Sequence, residues 1–76
     1  MIEGLIMVEG DNLNSETLRT VSLMNAKQVV IGSVPSLGTI LHLAANSADD
    51  FGTAMREFAG VRGVTSVLTL LLKAWS

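Results

Sequence analysis

Few residues of this 76-residue chain have side chains that commonly carry out chemistry, and those few are dispersed. His42 is the single histidine and cysteine is absent, so the chain lacks the three or four ligands of a typical zinc site. No arrangement of serine, histidine and aspartate suggests a hydrolase triad. Asp49 and Asp50 are adjacent, but both lie in the first turn of a predicted helix, where their negative charges interact favourably with the helix dipole. We therefore predict that the chain is not an enzyme and uses neither a metal nor a cofactor.

The glycine- and serine-rich stretch from Gly32 to Gly38 is the best candidate for a ligand site. Its backbone N–H groups and hydroxyls suit a small molecule, although the same residue types are typical of a hairpin loop for conformational reasons alone. His42 suits a ligand contact or a proton carrier, with a structural role as the alternative. Arg62 lies between Gly60 and Gly63, and its positive charge is suited to binding an anion. Alternatively, it interacts with the carbonyls at the C-terminal end of the preceding helix. The predicted ligand-binding residues are Gly32, Ser33, Ser36, Gly38, His42 and Arg62.

Four strands and two helices are predicted to position these residues. Runs of β-branched and large apolar residues bounded by turn formers indicate strands, and Phe51, Ala54, Met55 and Phe58 recur at helical spacing after a Ser47 cap. Glycine, serine and proline between Gly32 and Gly38 predict an enlarged hairpin loop. The elements in chain order are a strand from Ile2 to Val8, a helix capped by Asn12, Asn14 or Ser15 and stopped by Asn25, strands from Gln28 to Ile31 and Thr39 to Ala44, a helix between Ser47 and Gly60, and a strand from Val64 to Ala74.

The sheet is predicted to be apolar on both faces. Strict alternation sorts the last strand into one set, with Leu68, Leu70, Leu72 and Ala74, and a second set, with Val67, Thr69, Leu71, Lys73 and Trp75. Right-handed crossovers place both helices of a βαββαβ chain on one side, so the other side needs a partner. Trp75 suits an interface, or alternatively stacking on a ligand. The predicted dimer interface comprises Leu5, Met7, Val67, Leu71 and Trp75.

Composition favours one domain spanning residues 1–76, because so short a chain cannot supply two cores. Hydrophobic residues make up 49% and charged residues 16% of the chain, which indicates apolar surface available to a partner. The net charge is -2 with dispersed basic residues, so we expect no direct nucleic-acid binding. The uncharged stretch 28–48 contains glycine and proline, which argues against a membrane span. Without a basic segment before an apolar one, no secretory signal is expected and the predicted location is cytoplasmic.

The order of elements resembles the effector-binding domain of the Lrp/AsnC family of regulators, also called the RAM domain. The resemblance covers nearly the whole chain and is carried by Lys27 to Gly32, Thr39 to Leu43, Asp50 to Phe58 and Val61 to Thr69. It implies an α+β, ferredoxin-like fold: an antiparallel four-stranded sheet with two helices on one face, paired into a dimeric α/β barrel.

The resemblance also implies a homodimer or higher homo-oligomer that binds a small, amino-acid-like metabolite between dimers. Because no helix-turn-helix precedes Met1, we expect a stand-alone form that either senses a metabolite or co-assembles with full-length Lrp/AsnC-type regulators. The family usually places an aspartate after the hairpin glycine, whereas Gly32 to Gly38 contains no acidic residue. The expected partner for a ligand's amino group is therefore missing from this loop.

Two other functions have the same element order. One is a signal-peptide-binding chaperone resembling the small maturation protein of periplasmic nitrate reductase, which would act as a monomer with an open sheet. The other is a monooxygenase of the dimeric α/β-barrel type, for which His42 and Thr69 are the eligible polar groups inside the barrel. The oligomeric state separates the first of these from the regulator-like domain.

Overall fold

The structure is a computed structural model that describes residues 1–11, 13 and 15–74. Its elements are β1 (Ile2–Gly10), α1 (Ser15–Arg19), β2 (Ala26–Val34), β3 (Gly38–Ala45), α2 (Ala48–Ala59) and β4 (Val64–Ala74). The strands form one antiparallel sheet in the order β2-β3-β1-β4. This is the predicted ferredoxin-like α+β fold, and the predicted bounds of β4 are those observed.

A single core lies between the helices and one face of the sheet. Alternate residues of β1 and β3 are buried against Leu18 of α1 and against one side of α2. Since both helices contribute to the same cluster, both cover the same face, as the right-handed crossovers predict. The buried core residues are Ile6, Val8, Leu18, Leu41, Leu43, Ala45, Phe51, Ala54 and Phe58.

Helix α2 begins and ends at the residues that the sequence indicates. The Ser47 hydroxyl accepts a hydrogen bond from the Asp50 backbone N–H at 3.1 Å, and the Gly60 N–H donates to carbonyls of the last turn. Phe51, Ala54 and Phe58 form its buried side. Among the described residues, no helix has the length and apolarity needed to cross a membrane.

Ser47→Ala is expected to lower the free energy of unfolding by about 1 kcal/mol, because one N–H of the first turn loses its acceptor. For a domain of this size, that loss corresponds to a fall in Tm of roughly 4–8 °C. Thermal unfolding followed by circular dichroism checks the value. Ser22→Ala, at an exposed position outside the helices, is the matched control; equal Tm values for the two variants would contradict a capping role.

The hairpin between β2 and β3 is tighter than predicted. Strand β2 continues to Val34, which pairs with Gly38, so the connection comprises only residues 35–37. The Leu37 N–H donates to the Val34 carbonyl at 3.0 Å, and Ser36 has a φ of 66°. Proline in the second position and a positive φ in the third are typical of a type II turn. Pro35 thus ends the backbone pairing of β2 with β3, whereas Gly32 and Ser33 remain in the strand.

Helix α1 is shorter than predicted, with five residues that end at Arg19. The Gln28 side-chain N–H₂ donates to the carbonyls of Leu18 at 2.8 Å and Val21 at 3.3 Å. The Leu18 carbonyl also accepts a hydrogen bond from the Val21 N–H at 3.2 Å. The bonds from Gln28 join the end of this short helix to the sheet, so a residue of β2 holds the segment after α1 in place. The proposed N-caps Asn12 and Asn14 lie outside the described residues.

Strand β4 contains a β-bulge that makes the predicted strict alternation wrong. Leu71 pairs with Leu5, but the next pair is Thr69 with Ile6, so Leu70 is the extra residue. A bulge of one residue exchanges the two faces beyond it.

The bulge changes which residues of β4 face the helices. Val67 pairs with Val8 and packs against the core, and the Thr69 hydroxyl donates to the Met55 sulfur at 3.5 Å. The predictions that Val67 lies on the dimer-interface face and that Thr69 lies inside a barrel are therefore wrong. Trp75 lies outside the described residues, so its predicted role stays a prediction.

Candidate functional site

One face of the sheet is not covered by either helix, and we call it the open face. Cross-strand partners in an antiparallel sheet share a face, so the register identifies its residues. They are Glu3, Leu5, Met7 and Glu9 of β1, Lys27, Val29 and Gly32 of β2, Ile40, His42 and Ala44 of β3, and Ser66, Leu68, Leu71 and Lys73 of β4.

The residues of the open face lie in rows across the four strands. A charged row crosses one end, a serine and a glutamate lie at the other, and the two rows between them are apolar except for one histidine. The charged row is Lys27, Ala44, Glu3 and Lys73; the apolar rows are Val29, His42, Leu5 and Leu71, then Ile40, Met7 and Leu68; the far end is Glu9 and Ser66. We call the two middle rows the apolar band.

Val29, Leu68 and Leu71 of the apolar band are exposed to solvent in the single chain, and the residues of the band on the two central strands are half-buried. Leu71 is 62% exposed, Val29 59% and Leu68 44%. Covering such side chains stabilises a complex by roughly 25 cal/mol per Å². Contiguous apolar surface is a common feature of interaction sites, and the predicted interface residues Leu5, Met7 and Leu71 all belong to the band.

His42 is the one titratable residue within the apolar band. Its Nε2 lies 3.5 Å from Oε2 of Glu3 in the charged row, and the two side chains are 37% and 31% exposed. A depression of about 100 Å³ adjoins the pair, lined by Glu3, Gly4, Leu5, His42, Leu71 and Lys73. The open face therefore carries an imidazole and a carboxylate that approach each other directly.

A separate cleft lies at the hairpin end of the sheet, and we call it the hairpin cleft. Its volume is about 340 Å³, and most of its exposed surface is polar. It lies between the turn joining β2 to β3 and the segment that follows β1. The lining residues are Gly10, Asp11, Leu13, Ser33, Val34, Pro35, Ser36, Leu37, Gly38 and Thr39.

Asp11 is held at the hairpin cleft by backbone contacts. Its N–H donates to the Gly63 carbonyl at 3.0 Å, and a Cβ at Gly10 would lie 2.1 Å from the same carbonyl oxygen. Only glycine allows that close approach of two backbones. The Ser33 and Ser15 hydroxyl oxygens, 3.1 Å apart, tie the other wall of the cleft to α1.

The predicted ligand-binding residues do not form one site. Ser33, Ser36 and Gly38 line the hairpin cleft. Gly32 does not line it, His42 lies on the open face, and Arg62 is exposed in the turn before β4.

Sequence reasoning missed Asp11 and Thr39 as residues of the hairpin cleft. In the sequence, residues 9–12 indicate the end of a strand, and Asn12 is a candidate helix cap; neither feature points to a ligand site. The proximity of Asp11 to the hairpin follows from the antiparallel pairing of β1 with β3, in which Val8 lies opposite Thr39. The hairpin loop lacks an acidic residue, but Asp11, from a different segment, lines the cleft beside it.

A third depression, about 340 Å³ and mostly apolar, lies at the opposite end of the sheet. Its lining residues are Met1, Asn25, Ala26, Lys27, Ala44, Ala45 and Asn46. No predicted site residue lies in it. Within residues 1–11, 13 and 15–74, no group of three or more His, Asp or Glu side chains is close enough to hold a metal ion.

Comparison of the chain with protein-family models gives no match, and comparisons with curated proteins and with solved structures give no significant match either.

Proposed function

We propose that this chain is an effector-binding assembly domain similar to that of Lrp/AsnC regulators. Two copies pair through their open faces, and a small amino-acid-like metabolite binds in the hairpin cleft, where dimers meet. The observation that carries the proposal is the apolar band, which spans all four strands and is exposed on the two outer strands and half-buried on the two central ones in the single chain.

The dimensions of the open face suit a dimer. Four strands about 4.8 Å apart are roughly 19 Å wide, and four rows about 6.8 Å apart are roughly 27 Å long. The flat footprint is then about 500 Å², and the relief of the side chains increases the accessible area toward the roughly 800 Å² per partner of a standard interface. Charged residues lie at the ends of this surface and apolar residues at its centre, which is the usual distribution in an interface.

The hairpin cleft has the groups that an amino acid needs. The Asp11 carboxylate suits an ammonium group, and the hydroxyls of Ser33, Ser36 and Thr39 suit a carboxylate or a polar side chain. A free amino acid occupies less than the cleft's volume of about 340 Å³, so part of the space is available to residues from a neighbouring dimer.

Asp11→Asn is expected to weaken binding of an amino acid at least tenfold, because the ammonium group loses its charged acceptor. Isothermal titration calorimetry with the tightest ligand from a panel of amino acids measures the change. Glu9→Gln removes a carboxylate two residues away, on the open face, and is the matched control. An equal loss in both variants would indicate a general charge effect, and a panel without any binder would eliminate the effector role.

The assembly itself is tested by the mass of the protein in solution. The proposal predicts a dimer or larger species by light scattering at micromolar concentration, against 8.0 kDa for one chain. A folded 8.0 kDa species across the concentration range would overturn it. If that monomer bound a twin-arginine signal peptide, the chaperone alternative would replace it, with the peptide lying on the open face.

A further inference from the structure

The third depression, at the end of the sheet opposite the hairpin cleft, has a lining that the proposed function does not use. It lies where β2 begins and β3 ends, and we call it the alanine pocket. The register places its residues in pairs, with Lys27 opposite Ala44 and Ala26 opposite Ala45. Because an alanine side chain has only one carbon, three alanines at these strand ends leave space that larger residues would fill.

We propose that the alanine pocket binds a small organic monocarboxylate. The Lys27 ammonium group and the carboxamide N–H₂ groups of Asn25 and Asn46 hold the carboxylate, and the alanines contact its carbon chain. The volume of about 340 Å³ is at the lower end of the roughly 300–1,000 Å³ that is usual for small-molecule sites. All of these groups belong to one chain, so the site does not depend on the pairing of open faces.

Lys27 is the cation of the pocket, and its charge is available to a ligand. Among the described residues, its ammonium group has neither a salt bridge nor a hydrogen bond. Glu3 of the charged row lies two strands away, roughly 9.6 Å at about 4.8 Å per strand, and approaches His42. Asp49 and Asp50, in the first turn of α2, do not line the pocket. A carboxylate bound there is therefore attracted by a cation, and no described acidic residue of the lining repels it.

Two asparagines supply the hydrogen-bond donors of the pocket. Asn25 and Asn46 are the next residues beyond the pair of Ala26 with Ala45, one before β2 and the other after β3. Asn25 has a φ of 59°, which asparagine adopts more readily than most residues. Each carboxamide has two N–H donors, and neither side chain has a hydrogen-bond partner within the part of the chain that the structure describes. A carboxylate can accept hydrogen bonds from both.

The balance of charge and apolar surface favours this class of ligand over others. One cation suits one negative charge, and the mostly apolar surface of the pocket suits a carbon chain. Phosphate and sulfate have no carbon atoms to contact the alanines. An amino acid adds an ammonium group, which would lie near Lys27 without a carboxylate to accept it. The hairpin cleft, with Asp11, suits an amino acid, whereas the alanine pocket suits an acid that has no amino group.

Sodium pentanoate is the probe for this site, and nuclear magnetic resonance of the isotope-labelled full chain is the measurement. Saturable shifts of the backbone amide signals are expected at residues 25–27 and 44–46. Norvaline adds an amino group to the same acid, and pentylamine replaces the carboxylate by an ammonium group. Both are expected to bind to the alanine pocket at least tenfold more weakly, because each brings a positive charge toward Lys27.

Three variants and a control locate the binding energy. Lys27→Gln is expected to raise the Kd for pentanoate at least tenfold, and Lys27→Arg to retain most of the binding because a cation remains. Ala44→Leu is expected to abolish binding without a change of charge, since Ala44 shares a face with Lys27 and a larger side chain occupies the space. Arg62→Gln removes one positive charge at an exposed position near the hairpin cleft, and is expected to leave the Kd unchanged. Circular dichroism verifies that each variant is folded.

The outcomes decide between a site and a general attraction of anions. Loss of pentanoate binding in Lys27→Gln and Ala44→Leu, with retention in Arg62→Gln, would support the alanine pocket in a monomer as well as in a dimer. An equal loss in Lys27→Gln and Arg62→Gln would overturn it, as would unchanged binding in Ala44→Leu. Pentanoate shifts confined to the hairpin cleft, or no saturable shift at all, would also overturn it and would leave the paired open faces untouched.

Discussion

If the open faces pair as proposed, Leu71→Asp is expected to convert the dimer into a folded monomer. Leu71 is 62% exposed and lies opposite Leu5 in the apolar band. By symmetry, the substitution places two carboxylates in the paired faces. Each forfeits about 2 kcal/mol of burial and adds the cost of an unpaired charge. Since 1.4 kcal/mol corresponds to a tenfold change, the dimer Kd is expected to rise at least about 100-fold, as measured by analytical ultracentrifugation.

Leu72→Asp is the matched control for this prediction. Leu72 is the next residue, with a similar exposure of 55%, but it pairs with Gly4 on the helix side of the sheet. It is expected to leave the dimer Kd within about threefold and to lower Tm slightly. Equal loss of assembly in both variants would show that copies associate through the edge of the sheet at β4 and not through the open face. An unchanged Kd in Leu71→Asp would eliminate face-to-face pairing.

Phe58→Ala is expected to remove a large share of the stability of the fold. Phe58 is fully buried in the core beneath α2, and truncation of a buried phenylalanine costs about 3–5 kcal/mol. A domain of 76 residues has roughly 4–11 kcal/mol in total. Urea unfolding and thermal unfolding are expected to show a Tm lower by about 15 °C or more.

Arg56→Ala, two residues earlier on the exposed side of α2, is the control for Phe58→Ala. An exposed helical position is expected to change the free energy of unfolding by no more than about 0.5 kcal/mol. If Phe58→Ala shifted Tm by only a few degrees, Phe58 would not lie at the centre of the core. Because assembly adds stability by mass action, all variants are compared at one protein concentration.

Local signals predicted most of the elements. The Ser47 cap, the helical spacing from Phe51 to Phe58 and the glycine at position 60 act within one or two turns, so they can be interpreted without knowledge of the fold. The bulge at Leu70 and the continuation of β2 to Val34 could not be predicted in this way. A bulge arises from how two strands pair, and nothing in the run of leucines from 70 to 72 indicates which of them is extra.

The residues of the candidate site also divide into those that the local sequence predicts and those that only the pairing of strands brings together. Serine and glycine residues near the hairpin were predicted, and Ser33, Ser36 and Gly38 do line the hairpin cleft. Asp11 was missed because it precedes the hairpin by more than twenty residues and approaches it only through the pairing of β1 with β3. For the same reason, the meeting of Glu3 with His42 across neighbouring strands is visible only in the structure.

By itself, the sequence determined the order of elements, the bounds of α2 and β4 and the excess of apolar side chains, because period, caps and composition are properties of the chain. Only the tertiary structure decided which residues face outward on β4, which carboxylate lies at the hairpin cleft and which residue approaches His42. Those properties depend on the register between strands distant in sequence, and a shift of one residue there exchanges the two faces of the sheet.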